Sequence, residues 1–187
     1  MFFDATLATS RQISSGILWT AILFASVTTL GQSWTREQTN FVLDALRMSP
    51  APSSAFFLGK AITNTLFLLG LESVMSPVFL VLFRLHINCN PWLFALVLPL
   101  GTWALVVNGT FFSLLNIRTR NRELLLPLLL IPISLPALLA MIESTAGAFS
   151  TGDESTALRA GITQLVAYDT IYTTVCLLLF DTILNSE

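Results

Sequence analysis

Three carboxylates stand inside otherwise apolar stretches of this chain: Glu72, Glu143 and Asp169. A charged side chain at the centre of a bilayer costs about 2.5–3.5 kcal/mol on insertion scales, so such a residue marks a functional path or a buried partner. Glu72 falls near the middle of its stretch, Asp169 follows Tyr168 in mid-stretch, and Glu143 approaches the end of its own, within reach of water. For Glu72 two readings fit. One is a conformational or substrate-path role; the other is a neutral, protonated carboxyl that bridges two helices. Asn64, Asn108 and Gln164 lie in similar surroundings and suit hydrogen bonds between helices, worth about 1 kcal/mol each.

The residues that would break or make covalent bonds are missing. Gly59-Lys60 is followed by Ala61, with no glycine five positions ahead, so it is no phosphate-binding P-loop. A single histidine, His86, excludes an H-E-x-x-H zinc site, and no G-x-S-x-G nucleophile elbow occurs. Tyr168-Asp169 is half of an intramembrane aspartyl protease pair, and the second half, a G-x-G-D on another span, is absent. His86 is a weak candidate ligand for haem iron, in a short connection near Trp92. Cys89 and Cys176 form no C-x-x-C pair and read as ordinary small apolar residues rather than a disulfide or metal framework. The sequence reads as a non-enzyme that holds no metal.

The elements that position these residues follow from composition. Of 187 residues, 54% are hydrophobic and 11% charged, and mean hydropathy is +0.76. Soluble domains carry about 25% charged residues, so the solvent for most of this surface is lipid. A net charge of −2 argues against a nucleic-acid partner. About 20 apolar residues cross the hydrocarbon core, and five stretches qualify: 15–33, 57–83, 92–115, 124–148 and 157–184. The expected fold is all-α, a polytopic membrane helical bundle forming one domain over residues 1–187. Pro127, Pro132 and Pro136 predict that the fourth span is kinked or partly broken.

Orientation follows from Arg and Lys near the span ends. Arg36, Arg47 and Lys60 in the first connection and Arg118, Arg120 and Arg122 in the third face Arg11, Arg84 and Arg159 on the other side. Six against three puts the richer loops, and the C-terminus, in the cytoplasm, with Met1 outside. Within the first cytoplasmic connection, Thr35 and Gln38 fit a helix-capping box, and Phe41, Val42, Ala45 and Leu46 recur at helical spacing. Glu37, Asp44 and Arg47 fall elsewhere on that helix surface, and Ser49-Pro50 ends it. A short amphipathic helix at about residues 35–48 results. It either rests on lipid headgroups or docks a cytoplasmic partner.

Several of these pieces occur in a familiar order. Gly16-Ile17-Leu18-Trp19 opens the first span, followed by Leu46, Ser49-Pro50, Gly59-Lys60 and Ser76-Pro77. After the third span comes the run from Arg122-Glu123 through Pro127 and Pro132 to Pro136, and Leu179-Phe180-Asp181 lies near the end. This order resembles the haem exporter protein B family, the CcmB-type permeases of cytochrome c maturation. The resemblance implies an ABC-2-type permease fold with six spans, of which the first is the one not seen here. It implies a bacterial-type inner membrane, an ABC ATPase partner that binds the ATP, haem-handling membrane subunits, and a dimer or hetero-oligomer. Haem enters as a handled or exported species, with no cofactor bound by this chain. It also favours docking for the helix carrying Glu37, Phe41, Val42, Asp44, Leu46 and Arg47, as the element that couples to the ATPase. Two other readings remain: a permease for another ABC-2 exporter of lipid, drug or polysaccharide, and a proton-coupled secondary transporter using Glu72 and Asp169.

Overall fold

The computed structural model describes residues 2–32, 53–83, 91–116, 122–149 and 155–185. These form five helices and no strand among the described residues. We label them α1 (Phe2–Gly31), α2 (Ser53–Leu82), α3 (Pro91–Asn116), α4 (Arg122–Ala148) and α5 (Ser155–Asn185). All five are long and apolar enough to cross a membrane. The amphipathic segment with Glu37, Phe41, Val42, Asp44, Leu46 and Arg47 lies outside the described residues, as do His86 and Cys89.

Two helices differ in extent or continuity from the stretches that predict them. Helix α1 starts at Phe2, well before the apolar stretch that predicts it. Residues 2–15 contain no proline or glycine to stop a helix, so it runs on through Ser10, Arg11 and Gln12 although its apolar window opens only at Arg11. Of the two outcomes expected for the fourth span, a kink or a partial break, the break does not occur: α4 is one continuous helix through Pro127, Pro132 and Pro136. A proline removes one backbone donor, and a bundle tolerates that loss where neighbours hold the helix. Here α1, α3 and α5 all pack against α4.

Helix α3 is the hub. It packs against each of the other four helices, and 67% of its spanning window is buried against 22% for α5. Its exposed large apolar residues, Trp92, Leu96 and Leu115, lie only towards its ends. Glycine makes room for its neighbours. A Cβ at Gly101 would collide with the indole of Trp19, and one at Gly109 with Leu30, so α1 lies close along α3. Side chains therefore meet at Trp19–Gly101 and Leu30–Gly109, and the two helices run parallel. Gly161 does the same where α5 crosses Ala140 and Ser144 of α4. Small residues are the ordinary device for bringing membrane helices into contact, because apolar burial gives them no preference for each other over lipid.

Around this hub the core of the described residues divides into three apolar clusters. The largest gathers Leu18, Trp19, Ile22 and Leu23 of α1 with Val97, Leu105, Met141, Leu158 and Leu165 of α3, α4 and α5. Phe57 and Phe180, with ring centroids 5.1 Å apart, join the start of α2 to the end of α5. Leu30, Ala61, Leu68 and Val106 close the third, between α1, α2 and α3. The outward surface is apolar too, with Phe24, Leu66, Phe67, Val78, Leu135, Leu139, Ile171 and Leu178 exposed. That pattern is the one a lipid solvent demands.

Candidate functional site

Polar side chains inside the bundle converge on α3. On α2 the buried residues are Phe57, Ala61, Asn64, Thr65, Leu68, Glu72 and Ser76. Their spacing of three and four residues draws a single narrow stripe along the helix. Asn64, Thr65, Glu72 and Ser76 thus point inward, while Ile62, Leu66, Phe67, Val74, Met75 and Val78 point outward. Two contacts fasten the stripe to α3. The Asn64 amide donates to Thr110 Oγ1 at 3.1 Å. Eight residues further along, the Thr102 hydroxyl lies 2.6 Å from Glu72 Oε1 and 2.8 Å from the Leu98 carbonyl. Positions rise on α2 as they fall on α3, so the two helices are antiparallel. Glu72 is 1% exposed, and its second oxygen, Oε2, has no hydrogen-bond partner. One turn on, the Ser76 hydroxyl is buried without a partner as well.

On the other side of α3, Asn108 holds α5. Its amide donates to Tyr168 Oη at 2.8 Å and to the Ala104 carbonyl of its own helix at 3.0 Å. Tyr168 donates onward to the Ile133 carbonyl of α4 at 2.8 Å. The Cys176 thiol lies 3.9 Å from Asn108 Oδ1. Three helices are thereby tied through one tyrosine oxygen. Trp103 adds a second tie, donating to Thr173 of α5 at 3.0 Å. Trp19 donates to Thr145 of α4 at 2.9 Å, and Ser113 to the Leu30 carbonyl at 2.6 Å.

The carboxylates named from sequence separate into different places. Glu72 faces α3, Asp169 is buried on α5, and Glu143 is exposed on α4. Both Asp169 oxygens are buried without a hydrogen-bond partner. The ring of Tyr168, its neighbour, stacks on Tyr172 with centroids 4.1 Å apart. No group of three or more His, Cys, Asp or Glu comes together among the described residues. Asn64 and Asn108 bridge helices, as their position in the spans predicts. Gln164 does not: it is exposed, because it lies on the face of α5 turned away from the bundle. Sequence reasoning missed Thr102, Trp103, Tyr168 and Trp19 as hydrogen-bonding groups. The available signal was the pair Gly101 and Gly109, which mark where α3 is approached most closely.

What this arrangement can do is mechanical. It contains interhelical hydrogen bonds of modest strength, each near 1 kcal/mol, and two buried carboxyls whose oxygens are incompletely satisfied. Such contacts can be exchanged between discrete packings at small cost.

Comparison with known proteins supplies the relatives. A family model described as CcmB protein matches residues 4–182. The Heme exporter protein B of Rhodobacter capsulatus is 36% identical over 129 residues, covering 68% of this chain and 58% of that protein. The protein of the same name from Pseudomonas aeruginosa is 32% identical over 147 residues, covering 76% and 65%. That from Bradyrhizobium diazoefficiens is 30% identical over 134 residues, covering 71% and 60%. The chain thus spans less than two-thirds of the length of these relatives. No solved structure matches it.

Proposed function

We propose that this chain, which belongs to the CcmB protein family, is a membrane permease subunit for haem handling or export in cytochrome c maturation. The observation that carries the reading is the family match over residues 4–182, supported by relatives whose names describe haem export. The five-helix bundle with a central, glycine-lined α3 is compatible with it. An ABC ATPase binds and hydrolyses ATP in the cytoplasm. The segment with Glu37, Phe41, Val42, Asp44, Leu46 and Arg47 receives the motion, and the spans re-pack between two states. In this reading haem is cargo. The chain sits in a bacterial-type inner membrane with its C-terminus cytoplasmic, alongside haem-handling membrane subunits.

The direct experiment is a gentle-detergent pull-down of a tagged copy from its native membrane, with mass spectrometry of what accompanies it. An ABC ATPase together with haem-handling subunits is the expected result. An ATPase without haem proteins would transfer the chain to another ABC-2 export role. If no ATPase is recovered, the permease reading fails. Within the complex, Phe41→Asp should abolish recovery of the ATPase while the chain still inserts at normal levels. Undiminished recovery would remove the docking role from residues 35–48.

A further inference from the structure

The hydrogen-bond inventory around Glu72 is unbalanced. The Thr102 hydroxyl owns one hydrogen and lies within reach of two acceptors, Glu72 Oε1 and the Leu98 carbonyl. Thr28, Thr63, Thr65, Thr163, Thr170, Thr174 and Thr182 all donate to the carbonyl four residues back. If Thr102 does the same, the hydrogen in its 2.6 Å contact with Glu72 must come from the carboxyl. A length of 2.6 Å accommodates either donor, so the surroundings decide. An ionised Glu72 would have one hydroxyl donor, with its second oxygen buried and unpartnered. A charge inside a membrane span is expensive, and one interhelical hydrogen bond, individually weak, does not offset it.

Nor, among the described residues, does a cation stand beside it: Lys60, the basic residue of α2, lies roughly three turns away along the helix. Of the helices packed against α2, α3 has no ionisable side chain along its length. Helix α1 has only Asp4 and Arg11, at its start, and α5 has Arg159, Tyr168, Asp169, Tyr172, Cys176 and Asp181. Among the described residues Thr102 is the hydrogen-bond partner of the Glu72 carboxyl.

We infer that the Glu72 carboxyl is a proton-binding site between α2 and α3, and that the proton it holds latches the two helices together. With the proton present, Glu72 donates to Thr102 and Thr102 donates to Leu98, so both contacts are made at once. With the proton gone to water, Glu72 and Leu98 compete for one hydroxyl hydrogen, and the carboxylate favours a packing in which water reaches it. The ligand is a proton, and the moving part is the narrow buried stripe of α2. The latch forms whichever species the chain transports, and with or without the ATPase.

Infrared difference spectroscopy of the full chain in lipid vesicles at neutral pH tests it. Wild type minus Glu72→Gln should show the carbonyl stretch of a protonated carboxyl, and Thr102→Val should shift that band by removing its hydrogen bond. Loss of carboxylate bands instead, or a band that Thr102→Val leaves in place, would overturn the proposal. Thermal unfolding reads the latch separately. Glu72→Gln keeps a donor and should melt with wild type, whereas Glu72→Met should melt lower. A Met variant as stable as wild type would remove the latch.

Discussion

At the scale of single residues, several polar groups of the bundle sit where another helix answers them. Tyr168 shows how much one oxygen can join: it accepts from Asn108 of α3 and donates to the Ile133 carbonyl of α4. Tyr168→Phe removes both bonds while leaving the ring to stack on Tyr172. The expected loss is about 1 kcal/mol of stability in detergent, since interhelical bonds in membranes are individually weak. Denaturant unfolding followed by tryptophan fluorescence measures it, and an unchanged midpoint would mean the Asn108 amide finds another acceptor. Such pairings were only half visible in the sequence. Asn64 and Asn108 stand out because an amide is costly in hydrocarbon and must find company. Thr102, Thr145 and Thr173 do not stand out, because a threonine can satisfy its hydroxyl on its own helix, as seven of them do here. Only the neighbouring helix reveals which threonine also serves as a partner.

At the scale of the element, hydropathy located all five helices, because the length of an apolar run reports the thickness of the solvent it crosses. It did not report which face is buried. In a soluble helix apolar residues mark the inside, but on α2 they fill the outside as well, and the inward stripe mixes Phe57 and Leu68 with Asn64, Glu72 and Ser76. Proline does not interrupt α4, which contains three and stays continuous. Glycine divides the same way between useful and idle positions. Gly101 is where the Trp19 ring passes, whereas Gly70 has open space about it. Gly101→Leu should destabilise by about 1–3 kcal/mol, the usual cost of forcing extra carbons into a packed core. Gly70→Leu should be neutral or slightly stabilising, since its side chain would face lipid on α2. Thermal midpoints of the two variants in one detergent make the comparison. Equal destabilisation would contradict the close approach of α1 and α3.

At the scale of the whole molecule, α3 touches every other helix and α2 shows lipid most of its circumference. The order of local stability should follow. Amide hydrogen exchange in lipid nanodiscs is expected to be slowest in the middle of α3, around residues 101–111, and faster in α2 and the second half of α5. Exchange in α3 as fast as in α2 would deny it the central place. The candidate coupling segment illustrates the opposite limit of legibility. Its capping box and apolar spacing are plain in the sequence, yet nothing in the pattern says whether lipid or a protein covers the apolar face, because both reward the same residues.

The antiparallel contact of α2 with α3 also constrains how the chain is made. Asn64 and Glu72 emerge from the ribosome 46 and 30 residues ahead of Thr110 and Thr102, the groups that answer them. Until α3 arrives, α2 would sit in lipid with an amide and a carboxyl unmatched. The two helices are therefore best released into the bilayer together, as a hairpin, with α3 acting as the partner that makes its predecessor soluble in the membrane.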